Sequence, residues 1–379
     1  MSSPPRPLLL SVFPSFDIGG PQVRFTNLIN HLGATWRHAI ISISGQDACA
    51  HRISSDLDVS FPRVRLRRGA LLANLAEIRG ALSAIKPDVL VTHNWGSMEW
   101  VLANLSVGVR HVHVEDGFGP EEQSSQIARR VMVRRMALRR SAVILPSLTL
   151  MRIARDVWRL PAARMRHVPN AIDLGCFHPP PSPPQLAGPP CVGAVAALRP
   201  EKNLARLLRA ARLLIDEGVA LRLDVIGEGP ERASLEAQAA DLGLADVVNF
   251  TGAMQDPSSA YRVFDLFALS SDTEQMPLSV MEAMATGLPV ASTRVGDVER
   301  MLSSDNQPFL CDMNDRAFAE ALRPLLLSAA LRRRVGEGNR AKAVRDFDER
   351  AMFRAYAEVL APTFTPVISH RSQAISLLG

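Results

Sequence analysis

The sequence predicts an α/β protein made of two doubly wound parallel-sheet domains. Three observations lead there. The 379 residues exceed one ordinary core and suit two domains of roughly 150–200 residues each. Short, near-continuous apolar runs alternate with longer helical patterns along the chain, as parallel strands covered on both faces do. Near the middle, residues 179–190 read PPPSPPQLAGPP, seven prolines in twelve positions. Proline fixes φ and offers no N–H to a ladder, so this stretch is a stiff connector and not a strand.

In the first half, strands are expected at 8–13, 38–44, 89–93, 109–115, 142–146 and 165–168. In the second half they are expected at 192–198, 221–227, 248–252, 266–270, 289–293 and 308–311, with helices among them over 203–217, 230–242 and 277–285. The expected organisation is a domain over 1–178, the linker at 179–190, a domain over 191–345, and a helix and tail over 346–379 that packs back on the first domain or frays. Two such units are two Rossmann-like domains facing a central cleft. Ligands of such sheets bind at the carboxyl ends of the strands, so the loops there matter most.

Hydrophobic residues make up 47% and charged residues 21%, which excludes a disordered or fibrous chain. The cysteines Cys49, Cys176, Cys191 and Cys311 are far apart with no CxxC spacing. A disulfide framework and a cysteine zinc site are therefore not expected, and a reducing cytoplasm fits. The apolar run at 8–13 is too short for a signal peptide, and nothing approaches a membrane span. A soluble or surface-bound protein is expected.

Charge is uneven. Residues 1–190 hold 22 basic against 13 acidic side chains, and residues 191–379 hold 21 against 25. The arginines concentrate at 123–155, which contains eight of them and no acid. On a helical wheel Arg129, Arg130, Arg134, Arg135, Arg139 and Arg140 spread around the axis. A solvated basic helix and a contact with an anionic membrane surface are the two readings. Nucleic acid is not expected, because no aromatic residues are interleaved for stacking.

Two loops of the second half carry the chemistry. Arg199-Pro200-Glu201-Lys202-Asn203 follows an expected strand and opens a helix, a place where cations and a helix N-terminus suit a diphosphate. Only Lys86, Lys202 and Lys342 are lysines among 43 basic residues, so a compact point charge at Lys202 stands out. The competing reading is a surface turn with a capping role. Further on, Glu274 precedes Met276-Pro277-Leu278-Ser279, and Glu282 lies in the second turn of the helix that Pro277 opens. A carboxylate among Leu278, Val280, Met281 and Met284 needs partners, which sugar or ribose hydroxyls would provide. A capping acid and a helix acid bonded to a basic neighbour is the alternative.

The first half offers Gly19-Gly20 after its first strand, where backbone can approach a phosphate or sugar closely. His113-Val114-Glu115-Asp116-Gly117 ends another strand, and His93-Asn94-Trp95-Gly96 another. His113, Glu115 and Asp116 read either as a buried hydrogen-bonded group or as acceptor contacts and proton handling. Trp95 stacks on a sugar or belongs to the core. No HExxH, His/Cys cluster or paired-Asp pattern supports a metal.

RPEKN at 199–203, GEGPER at 227–232, VNFTG at 248–252 and the run from Glu274 to Glu282 with EAMATGLPVA, taken together, resemble the donor domain of retaining glycosyltransferases of the GT-B fold, family 4. GGPQVR near the start and PNAID at 169–173 extend the resemblance over most of the chain. It implies that Arg199 and Lys202 neutralise the donor diphosphate, that Glu282 holds the ribose hydroxyls and that Glu274 orients the transferred sugar. Backbone from Met276 to Ser279 would contact sugar or phosphate, Met254 would lie near the base, and Gly19 and Gly20 would close on the diphosphate. His113 would be the front-domain catalytic candidate, with Glu115 and Asp116 as rivals and Asn94 and Trp95 on the acceptor side. Three positions depart from the pattern: Gln275 replaces a glycine, Gly296-Asp297 replaces paired glycines, and His113 lies two residues before the acid at its strand end.

The resemblance implies a nucleotide-diphosphate sugar as donor, a glycan or lipid-linked acceptor, no cofactor and no required metal. Location in the cytoplasm, peripheral at the inner face of the membrane, is the matching expectation. The competing readings are a nucleotide-sugar epimerase of the same fold and a non-catalytic nucleotide-sugar-binding protein. A nicotinamide oxidoreductase would need GxGxxG, and Gly227-Glu228-Gly229 lacks the third glycine.

Overall fold

The computed structural model describes residues 6–118, 120–122, 125–181 and 188–361. Residues 182–187 of the expected linker and the tail from 362 lie outside them, as do Gly119 and positions 123–124 at the head of the arginine-rich stretch.

The chain divides into two compact units, one of residues up to Val168 together with those from Phe353, the other Pro169–Met352. Each contains one sheet, and every strand pairing is parallel. The first unit holds β1 (Leu8–Phe13), β2 (Arg37–Ser42), β3 (Val59–Ser60), β4 (Val89–His93), β5 (Arg110–Val114), β6 (Ala142–Leu145) and β7 (Met165–His167). The second holds β8 (Cys191–Val195), β9 (Arg222–Ile226), β10 (Val248–Gly252), β11 (Leu266–Leu269), β12 (Val290–Thr293) and β13 (Leu310–Cys311). Strand orders are β3-β2-β1-β4-β5-β6-β7 and β10-β9-β8-β11-β12-β13. These are two Rossmann-like α/β units, as the alternating pattern predicts.

The second unit shows why its strands read as apolar throughout. Val192, Ala194, Leu266 and Ala268 face a core under helices Leu204–Asp216, Arg232–Asp241 and Asp315–Leu327. Cys191, Phe267, Leu269 and Val290 face the opposite core, against helix Leu278–Ala285. Both faces are covered, so both alternations are apolar. Similarly, Leu8, Leu10, Val12 and Leu90 of the first unit pack on helices Leu71–Ile85 and Met98–Val107.

The differences from expectation are local. β8 stops at Val195: Ala196 N–H still donates to Ile226 O at the end of β9 at 3.0 Å, and Leu198 N–H then donates to Glu228 O in the loop after β9 at 2.9 Å. Pro277 is the residue before helix Leu278–Ala285, not its first residue. β3 has only two residues and no apolar run to announce it. Segment 169–178 joins the second unit, where Ile172 bridges Asp348 and Phe177 packs edge-on against Tyr261. The last helix, Glu349–Leu360, belongs to the first unit from Phe353 onward, and Phe353 stacks there on His31.

Candidate functional site

In the second unit, successive strands are added on one side of β8 as far as β10 and then on its other side from β11. Loops leaving β8 and β11 at their carboxyl ends therefore part at a topological switch point, where such sheets open a crevice for ligands. Those two loops carry Arg199–Lys202 and Ser271–Pro277.

They are laced together. Lys202 Nζ donates to Glu274 Oε1 at 2.7 Å, and Ser271 Oγ donates to the same oxygen at 2.8 Å. Backbone adds Asp272 N–H to Glu201 O at 2.9 Å, and Ser270 Oγ donates to Lys202 O at 3.1 Å. Asn203, with φ of 41°, caps the next helix by accepting from Arg206 N–H at 3.1 Å and donates to Asp272 at 2.9 Å. Arg206 is buried and pairs with Asp272 at 2.7 Å. Lys202 and Glu274 keep 24% and 10% of their side-chain surface exposed. The ammonium is thus fixed at the rim, within reach of a ligand. Arg199 is exposed on the same loop and makes no ion pair among the described residues.

Close backbone packing holds the Glu274 loop from behind. Gly296, at φ of 54°, lies so near that a Cβ would sit 2.3 Å from Glu274 O. Asp297 N–H donates to Gln275 O at 2.9 Å, and Asn170 Nδ2 donates to Met276 O at 2.8 Å. Gly229 lets the loop after β9 press against Leu198, where a Cβ would stand 2.4 Å from the carbonyl oxygen. Glu282, expected to meet ribose, accepts from the Tyr261 hydroxyl at 2.6 Å. Burial, and then the Glu282 carboxylate beside it, hold this phenol well above the usual tyrosine pKa. Met276 and Pro277 are buried, Leu278 and Ser279 half-buried, and Met254 is exposed after β10.

The first unit has its own switch point, between β1 and β4. Gly19, in extended conformation, precedes helix Gly20–Leu32 after β1, and Asn94-Trp95 follows β4. Arg24, one turn into that helix, pairs with Asp116 at 2.7 Å, with side-chain exposures of 5% and 10%. Asp116 N–H donates to Asn94 Oδ1 at 2.7 Å. His113 and Glu115 are fully buried. His113 Nδ1 meets Thr92 Oγ1 at 2.8 Å, and its Nε2 lies 3.5 Å from Glu115 Oε2.

Arg134 occupies the centre of this buried network. Its Nε donates to Glu115 at 3.2 Å, and its Nη1 and Nη2 to the two oxygens of Glu122 at 3.1 and 3.2 Å. Trp95 and Trp158 each stand 4.9 Å from its guanidinium carbon and Phe118 at 5.3 Å. Burial opposes ionisation of Glu122, but Arg134 and Arg130 hold it below the usual carboxylate range. Solvation of the whole basic helix is therefore corrected at Arg134, whose charge is neutralised internally. Trp95 packs against two arginines, the second being Arg130 at 5.0 Å.

Sequence reasoning thus reached Lys202 and Glu274, which the fold joins directly, and Arg199, which shares the loop without touching either acid. It gave no role to Ser271, Tyr261, Asn170, Arg24 or Arg134. Tyr261 carried a signal, being one of only two tyrosines, and Arg24 and Asn170 lie in the GGPQVR and PNAID stretches that extend the resemblance. Among the described residues no group of three or more His, Cys, Asp or Glu side chains could hold a metal ion.

The two units have the GT-B fold, shared with solved glycosyltransferase structures, and family models of glycosyltransferases match parts of the chain. Residues 182–342 match the family described as glycosyl transferases group 1, and residues 19–171 match the glycosyl transferase 4-like domain. The lipopolysaccharide core biosynthesis glycosyltransferase LpsE of Rhizobium meliloti is 30% identical over 176 residues, 46% of this chain and 51% of that protein. The putative colanic acid biosynthesis glycosyltransferase WcaL of Escherichia coli is 30% identical over 177 residues, 44% of each. The chain spans about half the length of the curated relatives it matches. Among solved structures, Anabaena HepE in complex with UDP and glucose superposes with a TM-score of 0.78 at 18% identity, over 93% of this chain and 98% of that one.

Proposed function

We propose that this chain is a family 4 glycosyltransferase that moves a sugar, with retention of anomeric configuration, from a nucleotide-diphosphate sugar to a glycan or lipid-linked acceptor in polysaccharide or glycolipid synthesis. The observation that carries this reading is the 2.7 Å contact of Lys202 with Glu274 at the switch point of the second sheet. An ammonium fixed there meets the charge that grows on a departing diphosphate, with Arg199 as the second cation. Glu274, released from Lys202 by that anion, turns its oxygens to sugar hydroxyls. Glu282, oriented by Tyr261, accepts from the ribose, and Met254 flanks the base. N–H groups at Leu278 and Ser279 add helix N-terminal potential for phosphate or sugar oxygens.

In the first unit the backbone at Gly19 and Gly20 offers N–H groups to an anion. Of the acceptor-side candidates, Asn94 is only partly buried, whereas the Asp116 oxygens are buried beside Arg24 and His113 and Glu115 are sealed into the Arg134 network. We assign the acceptor hydroxyl to the neighbourhood of Asn94 and leave Asp116 and His113 supporting roles. No step needs a metal or other cofactor. The UDP and glucose held by HepE support the donor class, and the lipopolysaccharide role in the name of LpsE supports the pathway class. The cytoplasm, where nucleotide sugars are made, is the proposed location.

Replacing Lys202 or Glu274 with Ala should lower donor turnover by about a hundredfold or more, as loss of one electrostatic stabiliser does. Unchanged turnover in both variants would remove these roles. Analysis of the product on a screened acceptor separates transfer from epimerisation of the donor, and its anomeric configuration tests retention.

A further inference from the structure

Lys202 and Glu274 meet with the backbone pinned on both sides. Ser270 Oγ donates to Lys202 O at 3.1 Å, and Thr293 Oγ1 donates to Ser271 O at 2.6 Å. Asp297 and Asn170 hold the carbonyls of Gln275 and Met276. The contact therefore changes by movement of side chains and not by retreat of either loop. Lys202 Nζ and Ser271 Oγ both donate to Oε1 of Glu274, and Oε2 takes neither bond. Ser271 is 1% exposed and stands three residues before Glu274, so it tethers the carboxylate locally, whatever Lys202 does. Asp272, the other acid of the loop, is occupied by Arg206 and Asn203. A single ammonium thus faces a single tethered carboxylate.

Building on the donor reading above, we infer that Glu274 and Ser271 make the site reject the spent nucleoside diphosphate while admitting the same nucleotide with its sugar attached. A diphosphate and the Glu274 carboxylate compete for Lys202. When the diphosphate carries a sugar, hydroxyls of that sugar donate to the displaced carboxylate and offset its lost ion pair. Once the sugar has left, those donors are gone and the terminal phosphate has gained charge. Ser271 keeps Oε1 from swinging away, so like charges are held together around the contested cation and the nucleoside diphosphate is driven out. Arg199 attracts both nucleotides alike and does not discriminate between them. Glu274 is then a release device as well as a sugar ligand, acting on a step that limits turnover in many enzymes.

Calorimetry on the full chain tests this. UDP, GDP, ADP and dTDP, each paired with its glucose conjugate, are the probes, and the pair that the parent binds most tightly is carried through. Glu274→Gln keeps the shape and removes the charge. It should tighten the nucleoside diphosphate about tenfold and leave the nucleotide sugar equal or weaker, so the preference for the sugar-bearing form falls by about tenfold or more. Ser271→Ala should act in the same direction, several-fold, because the untethered carboxylate turns away. The gain from Glu274→Gln should shrink in added salt and in a Lys202→Ala background, where the contested cation is gone. Thermal unfolding of each variant serves as the folding control. A loop merely loosened would weaken both ligands together. That result, nucleoside diphosphate binding unmoved by Glu274→Gln, or a gain undiminished without Lys202 would overturn the inference, while lost turnover in Glu274→Gln would leave the donor reading standing. A parent that binds none of the probes would sink the donor reading and this inference with it.

Discussion

The contact between Lys202 and Glu274 depends on a third residue that touches neither side chain. Gly296 supports the backbone of Glu274 from behind and has a positive φ, which side chains other than glycine adopt only with strain. Gly296→Ala would force a Cβ against Glu274 O, and the expected cost is about 2–3 kcal/mol of stability. Because the displaced loop is the one that bears Glu274, donor turnover should fall with it. Urea unfolding together with the turnover assay checks both; an alanine variant equal to the parent in each would show that the loop is not held this way. The sequence made Lys202 and Glu274 conspicuous through scarcity and spacing. It left Gly296 as a departure from pattern and gave Asn170 no role, because its partner Met276 is far away along the chain; Ser271 had no role either, though its partner Glu274 is only three residues on.

Helices and loops are ordered here by side chains with two duties. Asn203 closes the N-terminus of helix Leu204–Asp216 and ties the preceding loop to Asp272. Asn203→Ala should cost about 1–2 kcal/mol, combining the lost cap with a left-handed backbone that alanine resists. Asn203→Gly relieves the backbone and should cost only a few tenths of a kcal/mol at the cap, while still losing the bond to Asp272. A large stability gap between the two variants, read from thermal unfolding, is the expected result. At this scale the sequence was most legible. Apolar runs located β1 and β4 to the residue, since strands buried on both faces leave little choice of boundary; β10, a half-exposed edge strand, was located as well, ending at Gly252. Strand ends were overrun where apolar residues continue into a loop that packs elsewhere, as at Ala196–Leu198.

Taken as a whole, the molecule buries several histidines in neutral form. Burial lowers His38 to about 4 and His111 to about 3. For His111, the neighbouring His113 pushes the same way, whereas Asp58 and a backbone bond at Gly33 partly oppose the shift of His38. Both folded values lie below the unfolded value of about 6.5, so the unfolded chain binds the extra protons, and stability rises with pH through this window. Acidification below about pH 6.5 should therefore cost about 1.4 kcal/mol per pH unit for each histidine, until its folded pKa is reached. Unfolding measured at about pH 7 and about pH 5 should differ by about 2 kcal/mol for His38 alone, and His38→Gln should remove that share. A variant with an unchanged acid limb would refute the assignment. The two-sheet architecture was legible from alternation. Which polar residues lie inside was not, because burial of His113, Glu115 and Arg134 follows from tertiary neighbours that a linear pattern does not name.

The interior arginine has one more consequence. Two carboxylates and three aromatic rings set the roll of helix Ala128–Ala137 about its own axis, so Met132 and Met136 cannot swing inward to escape water. The helix is born facing outward, and its exposed methionines belong to a finished surface, with no disorder left to remove.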